Sequence, residues 1–174
     1  SVGAVLEVGT MAEVALGWPS RLDDRGVTVL PVVPSMGQTL IQLLERQPRA
    51  LPHLRLLTTT GADFPAPLLR RLRQALPSLN VALMFGLTEC KRVSILRPEE
   101  LDDHPGTVGR PLDGTEVFVV DAQGRRLPPG TPGELVVRGP HLMSGYWRAP
   151  EQTALRYRPF GPGTERALLP VTCA

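Results

Sequence analysis

Lysine is almost missing from this chain. Lys91 is the only one, and arginine carries nearly all the other side-chain positive charge. Chemistry that needs a compact ammonium therefore has one candidate within these residues. Cysteine is nearly as scarce, with Cys90 and Cys173 alone. Neither has a second Cys or a His at metal-ligand spacing, which excludes a zinc signature and a disulfide framework. A reducing compartment follows, and the expected location is the cytoplasm. No apolar run approaches the roughly 20 residues of a membrane span, so none is expected. The start has no basic leader before an apolar stretch and no Met, and apolar residues begin at once. The expectation is a chain with no secretion signal that enters in mid-fold. Excess charge of one sign is also lacking. A net charge of +2 argues against nucleic acid or an anionic membrane as partner.

What is present is an ordinary globular composition, 42% hydrophobic and 21% charged, over a length that suits one domain or one large subdomain. The 19 prolines and 17 glycines stand between short apolar segments and read as turns, not as a linker. Residues 27–30, Val-Thr-Val-Leu, suit a buried strand. Pro34 and Ser35 open a helix to about residue 46, with Met36, Leu40, Leu43 and Leu44 on one face. Residues 54–60 form the next strand, ended by Gly61. Residues 65–76 have helical period, with Leu68, Leu69, Leu72, Ala75 and Leu76 inward, Arg70, Arg71 and Arg73 outward, and Pro77 as the stop. Residues 81–85 are a third strand, ended by Gly86. This βαβαβ order predicts an α/β fold with a parallel sheet.

Beyond it, residues 115–120 and 134–138 alternate in polarity, with turn sequences at 121–124, 128–130 and 132–133. They predict a mainly antiparallel β subdomain, with a small barrel as one form of it, and a short helix from Pro150 to about residue 156. The predicted organisation is an α/β part over 1–96, a connecting loop over 97–110 rich in acids and prolines, a β-rich subdomain over 111–160, and a divergent tail without fixed structure over 161–174.

Residues 85–89, Phe-Gly-Leu-Thr-Glu, end the third strand. In open α/β sheets, ligands bind beyond the carboxyl ends of the strands. Gly86 permits a close backbone approach. Thr88 offers a hydroxyl suited to a phosphate oxygen, and Glu89 a hard carboxylate suited to magnesium. By itself the pentapeptide also reads as a strand and turn with exposed Thr and Glu. A second glycine-bounded strand end, residues 58–63 (Thr-Thr-Thr-Gly-Ala-Asp), lies one βα unit upstream. Adjacent parallel strands would bring both ends to one edge of the sheet.

With Val33-Pro-Ser-Met after the first strand, the Pro-Gly-Thr-Val-Gly-Arg-Pro of 105–111, and the Gly-bounded 133–147 ending in Ser-Gly-Tyr-Trp, the series resembles the adenylate-forming enzymes. These are the acyl- and aryl-CoA ligases, luciferases and adenylation domains of peptide synthetases, and the likeness runs from about Val27 to Phe160, closest to the acyl-CoA ligase branch. The resemblance implies a fragment of the large N-terminal domain of such enzymes. It implies that Phe85, where the family usually has Tyr, lies against adenine, that Thr88 contacts phosphate, and that Glu89 binds Mg2+. It places Thr88 and Glu89 in catalysis, and Gly61, Ala62, Asp63, Phe85, Gly86, Leu87 and Thr88 in the cofactor-binding set. The implied ligands are ATP or AMP, Mg2+, a carboxylic acid, and CoA or a carrier-protein thiol as acceptor.

The resemblance also implies parts that these residues do not hold. They are a phosphate-gripping loop before residue 1, a ribose-binding Asp after the Phe-Gly-Pro-Gly of 160–163, and a C-terminal lysine. The expectation is a truncated chain, inactive alone, whose tail from Leu169 to Cys173 departs through a frameshift. The competing reading is a non-catalytic or degenerate module that binds a complementary polypeptide or forms homo-oligomers, or one part of a split enzyme. His53, His104 and His141 read as surface or loop residues, Cys90 as a small buried thiol, and Cys173 as an exposed tail residue. Arg70, Arg71 and Arg73 read as a solvated helix face, and the acids of 99–103 as a solvated loop. Tyr146 and Trp147 read as packing residues.

Overall fold

Helix α1 (Met11–Asp24) is two helical pieces joined at Gly17, whose φ of 171° and ψ of 29° are not helical, with Pro19 just beyond. The Gly and Pro break the apolar period, so this helix is not legible from the pattern. Buried Trp18 and Leu22 anchor it instead. The computed structural model describes residues 3–159 and 166–169. These fall into two compact units, one from Ser1–Met84 with Leu96–Gly109, the other from Phe85–Ile95 with Arg110–Ala174. The single cut expected near 97–110 is thus replaced by a discontinuous division. The reason lies in the packing. Cys90 and Val93 are buried with Val137, Tyr157 and Leu168, whereas Leu96 and Leu101 are buried with the core of the first unit.

In the first unit, strands β1 (Val29–Val32), β2 (Leu56–Thr59) and β3 (Asn80–Phe85) alternate with helices α2 (Pro34–Arg46) and α3 (Ala66–Ala75). The last residue of β3, Phe85, opens the second unit. β1 pairs β2 in parallel with Leu30 opposite Leu57, and β2 pairs β3 in parallel with Thr59 opposite Leu83. This is the expected parallel βαβαβ portion. β1 begins two residues later than expected. Gly26, at φ 59°, closes α1 with the Val27 N–H donating to Leu22 O, and only then does the chain extend. Leu40, Ile41, Leu57 and Leu72 are fully buried at 0% exposure, each contributing about 1.5–3 kcal/mol of burial. Gly37 lets Phe64 close on α2, since a Cβ there would stand 2.8 Å from the ring.

The arginine face of α3 is more engaged than expected. Arg71 donates two hydrogen bonds to Glu45, at 2.9 and 2.8 Å, and Arg73 two to Asp102, at 2.6 and 3.0 Å. Both pairs are exposed, so solvent screening leaves each little weight in stability. They nevertheless position one acid of the run 99–103 that the pattern leaves as a solvated loop.

In the second unit, Ser94 and Ile95 of β4 (Ser94–Leu96) pair β5 (Arg110–Pro111) antiparallel, with Ser94 opposite Pro111. β6 (Glu116–Val120) and β7 (Glu134–Arg138) pair antiparallel with Phe118 opposite Val136. The connection turns at Asp121, whose Oδ1 accepts from the Gln123 and Arg125 N–H groups, as an Asx turn does. Helix α4 (Pro150–Arg156) leads into β8 (Tyr157–Pro159), which pairs β9 (Arg166–Leu168). The order β6-β7-β9-β8 makes an open four-stranded sheet among the described residues, not a barrel. The tail expected to lack fixed structure supplies a strand. Ala167, Leu168 and Leu169 are buried, because an apolar triplet gains more by pairing than by exposure. The tail positions 160–165 and 170–174, with Phe160 and Cys173, lie outside the described residues. No described helix is long and apolar enough to cross a membrane.

Candidate functional site

The second unit opens on the predicted pentapeptide. At Gly86 the chain doubles back so tightly that a Cβ would lie 1.8 Å from the Lys91 carbonyl oxygen. Only glycine fits this approach. The loop is closed by Cys90 N–H donating to Leu87 O at 3.1 Å and Val93 N–H donating to Phe85 O at 2.8 Å. Lys91 takes a left-handed φ of 55° to complete the reversal. Phe85 and Leu87 pack partly buried against the cluster of Cys90, Val93, Val137, Tyr157 and Leu168. Thr88 is exposed at the tip, and Glu89 is half-buried.

Glu89 is held at three points by chain far from it in sequence. Its carbonyl accepts the Met143 N–H at 2.8 Å and the Tyr157 hydroxyl at 3.3 Å. Its carboxylate accepts the Tyr146 hydroxyl at 2.5 Å on Oε1. That bond holds the Tyr146 phenol above its ordinary pKa, with burial and the carboxylate charge acting in the same direction. Tyr146 is fixed in turn, since its N–H donates to Thr153 Oγ1 at 2.9 Å, and that hydroxyl donates to Ala149 O at 2.9 Å. Gly145 is required there because a Cβ would stand 2.7 Å from the Thr153 methyl. Cys90 is a free, buried thiol, pushed up in pKa by burial first, with the Glu89 charge adding to it against a hydrogen bond at Leu87.

The packing role expected for Tyr146 and Trp147 therefore needs correction. Tyr146 is a hydrogen-bond donor to Glu89, and Trp147 is 86% exposed, with the Arg148 guanidinium 5.6 Å from its ring. Tyr157, Met143 and Thr153 were not singled out by sequence reasoning. Pairing 57 residues apart leaves no local signal. The turn-rich loop after β7 is itself tightly built, since a Cβ on Gly139 would meet the His141 ring at 2.7 Å.

Gly61, Ala62 and Asp63 belong to the first unit. They follow β2 at its carboxyl end, where all three are exposed. Gly61 has φ of 90°, a conformation that disfavours other residues, and the Val33 side chain lies 3.6 Å from where its Cβ would be. β2 and β3 run parallel and adjacent within this unit. A cleft of the first unit, about 970 Å³, lies elsewhere, lined by Leu44, Arg49, Arg55, Arg71 and Leu79 near the amino ends of the strands. A cleft of about 700 Å³ in the second unit is lined by Glu116, Arg138, Met143, Ser144 and Tyr157, two of which hold Glu89. Among the described residues no three His, Cys, Asp or Glu side chains gather as a metal cage.

A family model described as AMP-binding enzyme matches residues 8–147. A long-chain-fatty-acid–CoA ligase of Escherichia coli is 45% identical over 69 residues, covering 40% of this chain and 12% of that protein. Pyochelin synthetase PchF of Pseudomonas aeruginosa is 36% identical over 144 residues, covering 80% of this chain and 8% of its own length. The chain thus spans a small part of the curated relatives it matches. The crystal structure of VinN superposes with TM-score 0.76 at 40% identity, covering 87% of this chain and 41% of VinN. VinN has also been solved as a complex with L-aspartate.

Proposed function

Since the chain belongs to the AMP-binding enzyme family, we propose that it carries part of the nucleotide site of an enzyme that activates a carboxylic acid with ATP. In this reaction a carboxylate oxygen attacks the α-phosphorus, pyrophosphate leaves, and an acyl-adenylate forms. A thiol of CoA or of a carrier protein then attacks the acyl carbon and AMP departs. The observation that carries the reading is the loop at Gly86, which leaves the Thr88 hydroxyl exposed while fixing Glu89 from three sides. Thr88 hydrogen-bonds a phosphate oxygen, Glu89 ligates Mg2+, and the Phe85 ring lies against adenine, with Gly86 and Leu87 shaping the strand end. Among the first unit's residues, the exposed backbone of Gly61 and Ala62, with Asp63, is assigned to nucleotide and acyl group.

The donor set fits magnesium. One carboxylate without a protein cage is the usual protein share of a magnesium site, the rest being phosphate oxygens and water. When bound, the ion offsets negative charge on the phosphates as pyrophosphate leaves. The reaction is placed in the cytoplasm, where Cys90 stays a thiol.

Titration with Mg·ATP and with a non-hydrolysable acyl-adenylate mimic tests this reading. Phe85→Ala should weaken the mimic and Glu89→Gln should weaken Mg·ATP, each by tenfold or more, a loss of about 1.4 kcal/mol. Affinities unchanged in both variants would remove the site from this loop.

A second reading rests on a different observation. Val5, Leu6 and Val8 are 85%, 84% and 83% exposed in a segment outside helix and strand, an apolar surface of the kind that marks an interface. On that reading the chain is a non-catalytic or degenerate module, or one part of a split enzyme, completed by another polypeptide or by its own copies. Sedimentation of the chain alone decides it, because a monomer at micromolar concentration that binds nucleotide needs no such partner.

A further inference from the structure

We propose that Tyr146 is a positioning residue that aims the Glu89 carboxylate for its ligand. The proposal rests on the reading of Glu89 as a magnesium ligand. The Tyr146 hydroxyl donates to Oε1 at 2.5 Å, while among the described residues no hydrogen bond to Oε2 is found. A glutamate whose one oxygen is taken by a protein donor presents the other as a single, directed lone-pair face. This suits a small octahedral ion that takes one oxygen per carboxylate.

The restraint is built, not incidental. The Glu89 main chain is fixed by Met143 N–H and the Tyr157 hydroxyl. The Tyr146 main chain is fixed by Thr153, which is itself tied to Ala149 O. Both ends of the Tyr146–Glu89 bond are thus anchored through their backbones, and the only freedom left is in the two side chains that bond each other. Without the hydroxyl, Glu89 regains its rotamers and must lose them again on binding metal. Fixing one such side chain in advance changes affinity by about two- to tenfold.

The test uses the intact chain with Mn2+·ATP as the probe, read by water-proton relaxation, in the unsubstituted protein, Tyr146→Phe, Glu89→Gln and the double variant. Tyr146→Phe keeps the ring and removes only the donor. It is expected to weaken Mn2+·ATP about two- to tenfold at an unfolding midpoint close to that of the unsubstituted chain. In the Glu89→Gln background the same change should have no further effect, because the group it aims has lost its charge. If Glu89→Gln weakens the probe and Tyr146→Phe leaves it unchanged, the positioning role is overturned and the metal role of Glu89 stands. A loss in Tyr146→Phe that persists in full in the double variant also overturns it. If the chain binds no probe, or Glu89→Gln binds as well as the unsubstituted chain, the metal reading falls and takes the proposal with it.

Discussion

Substituting Gly86 by alanine presses hardest on the loop that ends β3. The added Cβ would lie 1.8 Å from the Lys91 carbonyl oxygen and 2.9 Å from its carbon. A carbon and a carbonyl oxygen rest no closer than about 3.3 Å, so one backbone segment must retreat by roughly 1.5 Å. Both neighbours are main chain, and no side chain can swing aside to absorb the clash. A retreat of that size breaks the Val93 N–H bond to Phe85 O, now 2.8 Å, and the Cys90 N–H bond to Leu87 O, now 3.1 Å. Two such bonds contribute about 2 kcal/mol net. Cys90 and Val93, each 1% exposed, also lose part of their contact with Val137, Tyr157 and Leu168, which adds about 1–2 kcal/mol. The expected cost is about 3–4 kcal/mol, read as a lower urea midpoint at unchanged m-value. Gly130→Ala is the control, since nothing lies within 4 Å of its Cβ position and only its left-handed φ of 81° resists the change, at about 1–2 kcal/mol. A Gly86→Ala cost under about 1 kcal/mol, or no greater than the control's, would show that the close approach does not hold the loop.

Acidification should weaken the second unit through Glu116. Hydrogen bonds from Arg126 and then Arg138 hold its carboxyl below the usual range, so its contribution is present above the unfolded value of about 4.3 and is lost as pH falls through the lowered folded one. Glu116→Gln should lose less of its urea midpoint between pH 6 and pH 3, as rough bounds of that window, and an equal loss in both proteins refutes the assignment. Gly37→Ala, with its Cβ 2.8 Å from the Phe64 ring, should destabilise by about 1–3 kcal/mol. Phe64→Leu in the same chain should recover part of that, a non-additivity absent if the two residues do not press on each other. The Cys90 thiol, buried and raised in pKa, should resist alkylation at neutral pH until the chain unfolds. Peptide mapping that finds Cys90 labelled as fast as a small thiol would contradict its burial.

The parts of the fold legible in the sequence are those in which neighbours along the chain decide the outcome. α2 ends where Pro34 and the apolar period put it, and β7 matches the alternating run 134–138 residue for residue. The parts not legible are decided by distant contacts. α1 holds together across Gly17 because Trp18 and Leu22 reach the core, not because its own pattern is helical. β9 is too short to announce itself, and it forms because Val137 and Tyr157 pair with Leu168 from both sides. The division into two units is discontinuous for the same reason. Residues 85–95 follow directly from a parallel strand, yet their apolar side chains are buried against β7 and β8.

The candidate site divides along the same line. The proposal of 85–89 as a functional turn draws on local information, because a glycine at a strand end followed by Thr and Glu is what a close backbone approach and a hard-oxygen donor require. What restrains Glu89 is not local, since its partners lie 54, 57 and 68 positions away at Met143, Tyr146 and Tyr157. The energetics bear on why the restraint exists. Fixing a half-exposed glutamate gives up about 1–2 kcal/mol of rotamer freedom. A hydrogen bond to a carboxylate returns about 1.5–3 kcal/mol at best, and Tyr146 and Glu89 are both only half-buried, so solvent reduces that return. The bond therefore adds little to folding stability. Selection for stability alone would do as well with an apolar residue at position 146, leaving Glu89 to water. The arrangement makes physical sense on the proposed reading, in which the second oxygen of Glu89 has a ligand to meet, and Thr88 stands exposed one residue away.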